Sequence, residues 1–363
     1  MLSRTADHLF WMSRYMERAE NTARMLNVSY ETSLLPQSAA AAQAGWEGIL
    51  SISELLPSYR ALYKDVNPRD VMEFMVKDAD NPSSITSCLR AARENARAVR
   101  GTLTTEVWET QNQTWLEVNR MLKSGALEKD PAQFFEWVKF RSHLSRGVTV
   151  GTMLMDEALH FMRMGTFLER ADNTARLVDV KFHAMNNDYF GSPLSGQDGE
   201  AEYDFYHWSA ILRSVSGFEV YRKVYRDVIR PERVAELLIL RPDMPRSLHA
   251  SLNEVLTNLQ LVSSSPASDT LRHAGKLRAE LAYGRIDEIL DDGLHADRLS
   301  AIERACAARP SASARAIAAG PMAPSAASPT SMKLVRFMKS STESPDENRA
   351  ERAVGNTWFG PPT

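Results

Sequence analysis

The sequence predicts an all-α protein: a helical bundle built from an internal duplication with pseudo-twofold symmetry, followed by a disordered C-terminal tail. Three observations carry that expectation. Apolar residues recur at three- and four-residue spacing in segments rich in Ala, Leu, Met, Glu and Arg, and alternating β-branched runs are missing. A dodecapeptide occurs twice, ERAENTARMLNV at 17–28 and ERADNTARLVDV at 169–180, identical at eight of twelve positions. The last 54 residues hold seven of the 17 prolines and run through ARPSASARAIAAGPMAPSAASPTS, which offers too little apolar surface to offset chain entropy.

In chain order, the periodicity places helices at 4–34, 44–64, 69–77, 82–124 with a break at Gly101, 131–146 and 152–185. After a polar, glycine-bearing loop at 186–200 (NNDYFGSPLSGQDGE), helices are expected at 203–228, 231–240, 245–262 and 267–307, the last broken near Gly284 and Gly293. Pro82 and Pro245 each precede a helical pattern, where proline costs little because first-turn N–H groups lack partners, and they mark helix starts. The repeat extends beyond the dodecapeptide. W46xxIL…YR…Y63 returns as W208xxIL…YR…Y225 at offset 162, and VMEFMVKDADNPSSI (71–85) returns as VAELLILRPDMPRSL (234–248) at offset 163. Two homologous halves, about 8–124 and 160–290, thus make one body over 1–307, packed about a pseudo-twofold axis, with a low-complexity tail over 308–363. Within the tail, SMKLVRFMKS (331–340) fits either a short docking or membrane-surface helix or incidental composition.

Composition bounds the function. The 363 residues are 44% hydrophobic and 25% charged, ample for a core, and a net charge of −3 from interspersed charges argues against nucleic acid as a partner. Two cysteines, Cys88 and Cys306, exclude a disulfide framework and fit a reducing, cytoplasmic setting. The start MLSRTADHLFWMSRYMER interrupts any secretory signal with charge, and no stretch is apolar enough to span a bilayer. GxSxG, Walker, GxGxxG and HExxH motifs are missing, and no cofactor is expected.

The chemistry concentrates on the repeated helix. At 100° per residue, Glu17, Glu20, Asn21 and Arg24 share one polar sector, opposite Met12, Met16, Ala19, Ala23 and Leu26. Glu169, Asp172, Asn173 and Arg176 reproduce that face, and Arg18 and Arg170 flank it, positioned to reach a neighbouring helix. Three readings compete. One is an ion-pair network, Glu20 with Arg24 and Asp172 with Arg176, with a symmetric crossing that pairs Glu17 with Arg176 and Glu169 with Arg24. Another is a polar pocket on the pseudo-twofold axis, its arginines suited to a carboxylate or phosphate and its glutamates to an amine. The third, a carboxylate metal site, has poor ligand chemistry: dinuclear helical sites want Glu-x-x-His on two helices, and Glu20 and Asp172 hold the i+3 positions. His8 and His160, at matching positions, read as satisfied core histidines. The charges at 93–97 and 278–281 read as solvated faces. Trp46, Trp208, Tyr59, Tyr221, Tyr63 and Tyr225 read as packing anchors.

MLSRTADHLFWMSRYMERAENTARMLNV, GTFLERADNTARLVDV, the paired W…IL…Y stretches, PRSL at 245–248 and LRAELAYGRIDEIL at 277–290 resemble the bacterial Alpha-E domain family over about residues 1–300. The resemblance implies an all-helical domain of undetermined activity. Its glutamate-arginine motif falls here on Glu17, Arg18, Glu169 and Arg170. Members of the family are often encoded beside an ATP-grasp protein and a transglutaminase-like cysteine protease, which implies a peptide- or amide-forming system. The sequence departs from the family after about 300, where a final helix is usual. Three functions follow as expectations: an accessory binding protein for a peptide-like substrate or an ATP-grasp partner; a helical enzyme acting on an amide or carboxylate through Glu17 or Glu169; or an architectural oligomer, with the oligomeric state left open.

Overall fold

The computed structural model describes residues 1–36, 38–186, 207–263 and 268–291, and every regular element among them is helical. The elements are α1 (Ser3–Ser33), α2 (Ala39–Ile52), α3 (Leu56–Leu62), α4 (Pro68–Val76), α5 (Ile85–Ala98), α6 (Thr105–Lys123), α7 (Ala126–Lys129), α8 (Pro131–Thr152) and α9 (Glu157–Asn186). They continue with α10 (207–214), α11 (Phe218–Tyr225), α12 (Pro231–Ile239), α13 (Leu248–Val262), α14 (Asp269–Tyr283) and α15 (Ile286–Asp291). The 187–200 part of the expected loop, the break near Gly293 and the tail lie outside the described residues.

The long helices α1 and α9 form the centre. α1 packs against α5, α8 and α9, and α9 against α1 and α13. Between Leu9 and Val28, α1 is buried on every face except at Arg18, which is only slightly exposed. Its polar sector therefore faces protein rather than water, and its charges require internal partners. The two central helices meet closely at Gly165, where a Cβ would stand 2.3 Å from the Phe10 carbonyl oxygen. Only a glycine lets the backbones approach so far. One apolar cluster joins Leu9, Trp46, Phe74, Phe134 and Val255, and a second joins Met25 and Ile52 to Trp208, Leu237 and Leu252, so both mix early and late residues.

Several local arrangements occur in pairs. The expected single helix 44–64 is broken at Glu54 (φ 55°), with Leu55 N–H donating to the Leu50 carbonyl at 2.8 Å. The expected 203–228 helix is broken at Ser216 (φ 52°), with Gly217 N–H donating to the Leu212 carbonyl at 2.7 Å. Tyr59 and Tyr221 are fully buried and donate to the Asp65 and Val228 carbonyls at 3.0 and 2.8 Å, while Tyr63 and Tyr225 lie against their rings. Trp46 and Trp208 are each 1% exposed, so the aromatic anchors are core residues. His8 and His160 bond through Nδ1 to Asn95 and Asn258 at 2.8 and 2.9 Å, as satisfied histidines should.

The two proline loops also match, with one correction. Pro82 and Pro245 stand in the turns before α5 and α13 rather than in their first turns. Ser84 and Ser247 take the N-cap position, accepting from Ser87 N–H at 3.2 Å and Ala250 N–H at 2.9 Å. Each hydroxyl also donates back across its loop, to the Asp78 and Arg241 carbonyls at 2.7 and 2.5 Å. Serine capping thus fixes where each helix begins, three residues after the proline. α8 runs on to Thr152 and α9 begins at Glu157, several residues beyond the expected boundaries.

Candidate functional site

The crossing of α1 and α9 brings the two Glu-Arg dipeptides into reciprocal pairing. Arg170 grips Glu17, with Nε to Oε1 at 2.9 Å and Nη2 to Oε2 at 3.3 Å. Arg18 grips Glu169 in the same fork, with Nε to Oε1 at 2.5 Å and Nη2 to Oε2 at 3.0 Å. Bidentate guanidinium-carboxylate pairs are the strongest and most geometrically demanding side-chain contacts available to a buried charge. The expected cross pairs of Glu17 with Arg176 and Glu169 with Arg24 do not form. Arg24 lies seven residues past Glu17, about 10 Å along the axis, beyond the reach of the crossing. It bonds instead to Glu20 in its own helix at 2.7 Å and to Ser216 at 2.6 Å. Arg176 likewise pairs with Asp172 at 3.2 Å and Glu54 at 2.6 Å.

The surroundings of the two dipeptides differ. Around Glu17 and Glu20, the loop before α13 inserts Arg246, 7% exposed, which donates to Glu17 Oε1 at 3.1 Å, Glu20 Oε1 at 2.5 Å and Asn21 Oδ1 at 2.9 Å. From α8, Arg146 donates to both glutamates, Ser142 donates to Glu20 at 2.7 Å, and His143 lies 3.5 Å from it. Four guanidinium groups thus enclose two carboxylates in a basin sealed by side chains. Asn21 Nδ2 is buried and finds no hydrogen-bond partner. Around Glu169, the fully buried Arg14 adds a second guanidinium, Nε to Oε2 at 2.6 Å, backed by the faces of Phe10 and Trp11.

Beside Glu169 a cleft of about 470 Å³ opens. Its walls are α1 through Arg18 and Asn21, α9 through Glu169, Asp172, Asn173 and Arg176, the α2–α3 corner at Glu54, and the loop 78–83. Six of the ten residues singled out from the sequence face this cleft. The other four, Glu17, Glu20, Arg24 and Arg170, belong to the sealed basin or its edge.

Electrostatics fixes what these groups can do. Burial on its own raises Glu169, but Arg14 and Arg18 outweigh it and hold the carboxyl at about 2. Burial likewise opposes ionisation of Glu17, and Arg170, Arg246 and Arg146 bring it below the ordinary value. Glu20 is held well below its ordinary value against burial by the His143 hydrogen bond and by Arg246 and Arg146. Burial pushes Arg246 down to about 10, against the upward pull of Glu17 and Glu20. All remain charged at neutral pH. Burial also raises the Cys88 thiol to about 12, which makes it a poor nucleophile. Among the described residues, no group of three or more His, Cys, Asp or Glu side chains could hold a metal ion, and no helix is long and apolar enough to cross a membrane.

Periodicity along one helix does not reach Arg146, Ser142, Arg246 or the 78–83 loop, whereas Arg14, on α1 itself three residues before Glu17, stands at the edge of the polar sector and could have been found from it. Of the others, only Arg246 carries a signal in sequence, as the residue of PRSL that replaces Ser83 of PSSI. The charges at 93–97 and 278–281 stand away from the cleft, with Arg97 and Arg278 exposed. A family model described as a predicted alpha-helical domain with a conserved ER motif matches residues 1–312. No curated protein and no solved structure matches the chain.

Proposed function

The chain belongs to the Alpha-E family, and from that premise we propose that it is an accessory binding protein that holds a peptide-like ligand in the cleft beside Glu169. The observation that carries this is the inequality of the two cross-helix ER pairs. Both are bidentate, yet it is the Arg18–Glu169 pair, and not Glu17–Arg170, that lines the cleft, together with polar groups from four chain segments. A cleft of that size accommodates a few residues of a peptide. In this reading the ER pairs position the walls, and the ligand meets Asp172, Asn173, Arg176 and the 78–83 loop.

We further read the body, 1–307, as two duplicated halves about a pseudo-twofold axis. The paired corners at Glu54 and Ser216, the paired serine caps and the reciprocal ER contacts support it. The proposed partners, an ATP-grasp ligase and a transglutaminase-like protease, rest on the family resemblance, and the proposed cytoplasmic setting rests on the sparse cysteines. The enzymatic alternative, with Glu17 or Glu169 as acid or base, has less support. A general acid or base works best with a pKa near the working pH, and paired arginines hold both carboxyls below the ordinary carboxylate range.

Ser58, exposed on α3 at the mouth of the cleft, gives the test. Ser58→Trp is expected to fill the mouth and abolish co-purification with a co-expressed ATP-grasp ligase or its peptide substrate, with an unchanged circular dichroism spectrum. Undiminished association by a folded Ser58→Trp variant overturns the cleft reading.

A further inference from the structure

The cleft and the sealed basin are made from stretches that correspond in sequence. In the register of VMEFMVKDADNPSSI with VAELLILRPDMPRSL, Ser83 corresponds to Arg246, and Glu169, Asp172 and Asn173 correspond to Glu17, Glu20 and Asn21. In the basin, one guanidinium, that of Arg246, bonds to all three of the latter residues. On the other side the loop arrives with the short side chain of Ser83, and the space it leaves is part of the cleft.

The groups facing that space lack what their counterparts have. Asn21 gives its Oδ1 to Arg246, whereas Asn173, only 9% exposed, makes no side-chain hydrogen bond among the described residues. Asp172 engages Arg176 through Oδ2 alone. Asp78 and Asp80, on the loop, have no cationic partner among the described residues. The cations on the wall, Arg18 and Arg176, each bond already to a carboxylate. Five carboxylates (Glu54, Asp78, Asp80, Glu169 and Asp172) thus meet three guanidinium groups (Arg14, Arg18 and Arg176), whereas four guanidinium groups meet two carboxylates in the basin. The Asn173 amide, with little of the residue exposed and lining the cleft, thus stands next to surplus negative charge with its acceptor uncommitted to any protein donor.

We propose that the cleft receives the guanidinium group of an arginine side chain in a peptide, with Asn173 and Asp172 in the roles that Asn21 and Glu20 play toward Arg246. This rests on the reading of the cleft as a ligand site and names the ligand's chemistry. Asp78 and Asp80 supply the charge that Glu169, committed to Arg14 and Arg18, does not. Asp172 is one methylene shorter than Glu20, which leaves room for a group entering from outside.

Calorimetric titration of the full chain with acetyl-Gly-Arg-Gly-amide, and with the same peptide carrying citrulline, tests the assignment. The arginine peptide is expected to bind at least tenfold more tightly than the citrulline peptide, which keeps the shape and loses the charge. Ser83→Arg places a resident guanidinium in the cleft and is expected to abolish binding. Asn173→Asp adds a carboxylate and is expected to tighten binding severalfold, a gain that misfolding cannot mimic. Equal affinity for the two peptides overturns the guanidinium assignment while leaving the cleft a peptide site. Arginine-peptide binding that survives Ser83→Arg, or no arginine-peptide binding at all, also overturns it, and the Ser58→Trp experiment then decides the cleft reading separately.

Discussion

Glu169 has two guanidinium partners and less than a tenth of its surface exposed, so its charge is necessary to theirs. Glu169→Gln keeps the shape and removes the carboxylate that the guanidinium groups of Arg14 and Arg18 share. Breaking a buried pair from one side costs about 3–5 kcal/mol, and urea unfolding of the variant should show a loss of that size. A wild-type midpoint in Glu169→Gln would mean that the pair is solvated in solution. The pH dependence follows from the same residue. A carboxyl lowered from its ordinary 4.5 to about 2 contributes stability that is fully present above 4.5 and is lost as pH falls toward 2. Glu17 and Glu20, also lowered, act in the same direction. The unfolding midpoint should therefore hold from pH 7 to about 5 and fall steeply below 4.5, and more shallowly in Glu169→Gln. Parallel acid slopes in the two proteins would remove Glu169 from the account. The glutamates themselves were legible because helical periodicity puts Glu17, Glu20, Asn21 and Arg24 in one sector twice. Arg18 and Arg170, flanking that sector, and Arg24, four residues after Glu20, were legible as partners too, but Arg246 was not, because it lies 229 residues from Glu17 and no local pattern encodes which loop will arrive there.

At the scale of elements, the α1–α9 crossing depends on Gly165. The Cβ of an alanine there meets the Phe10 carbonyl at 2.3 Å, and backbone cannot swing aside as a side chain would. Gly165→Ala should force the helices apart and stretch both ER forks together, beyond the 1–3 kcal/mol typical of overpacking a core. A thermal melt that matches wild type would show that the crossing tolerates a wider spacing. The usual helix-propensity gain of alanine over glycine, about 1 kcal/mol, has the opposite sign and makes the outcome decisive. Long helices such as α1 and α9 were legible from their periodicity. The corners at Glu54 and Ser216 were not, since each puts a residue other than glycine in the left-handed region. Each corner residue has a polar contact to a central helix, Glu54 to Arg176 and Ser216 to Arg24. A tertiary contact of that kind fixes a helix end that sequence pattern reads straight through.

At the scale of the molecule, the reciprocal pairing makes the earlier and later stretches of the chain counter-charges to each other. Glu17 and Glu20 on α1 draw on Arg170 and Arg246 from the later half, and Glu169 draws on Arg14 and Arg18 from the earlier one. The apolar clusters run the same way, with Val255 and Leu259 packed in the cluster of Leu9 and Phe74, and Met25 and Ile52 in that of Trp208. Separating the halves would strip buried charges of their partners and expose apolar surface at the same time. Both penalties fall on any partly unfolded state in which one half survives alone. Urea unfolding should therefore be a single transition, with tryptophan fluorescence and far-ultraviolet circular dichroism superimposing, although buried tryptophans lie both early in the chain, Trp11 and Trp46, and late, Trp208. Replacing Trp208 by Phe, so that Trp46 and its neighbours report mainly on the earlier half, should leave the fluorescence and dichroism midpoints coincident. A biphasic curve, or a fluorescence midpoint displaced from the dichroism midpoint, would show that the halves hold together independently and that the ER pairs join two autonomous units.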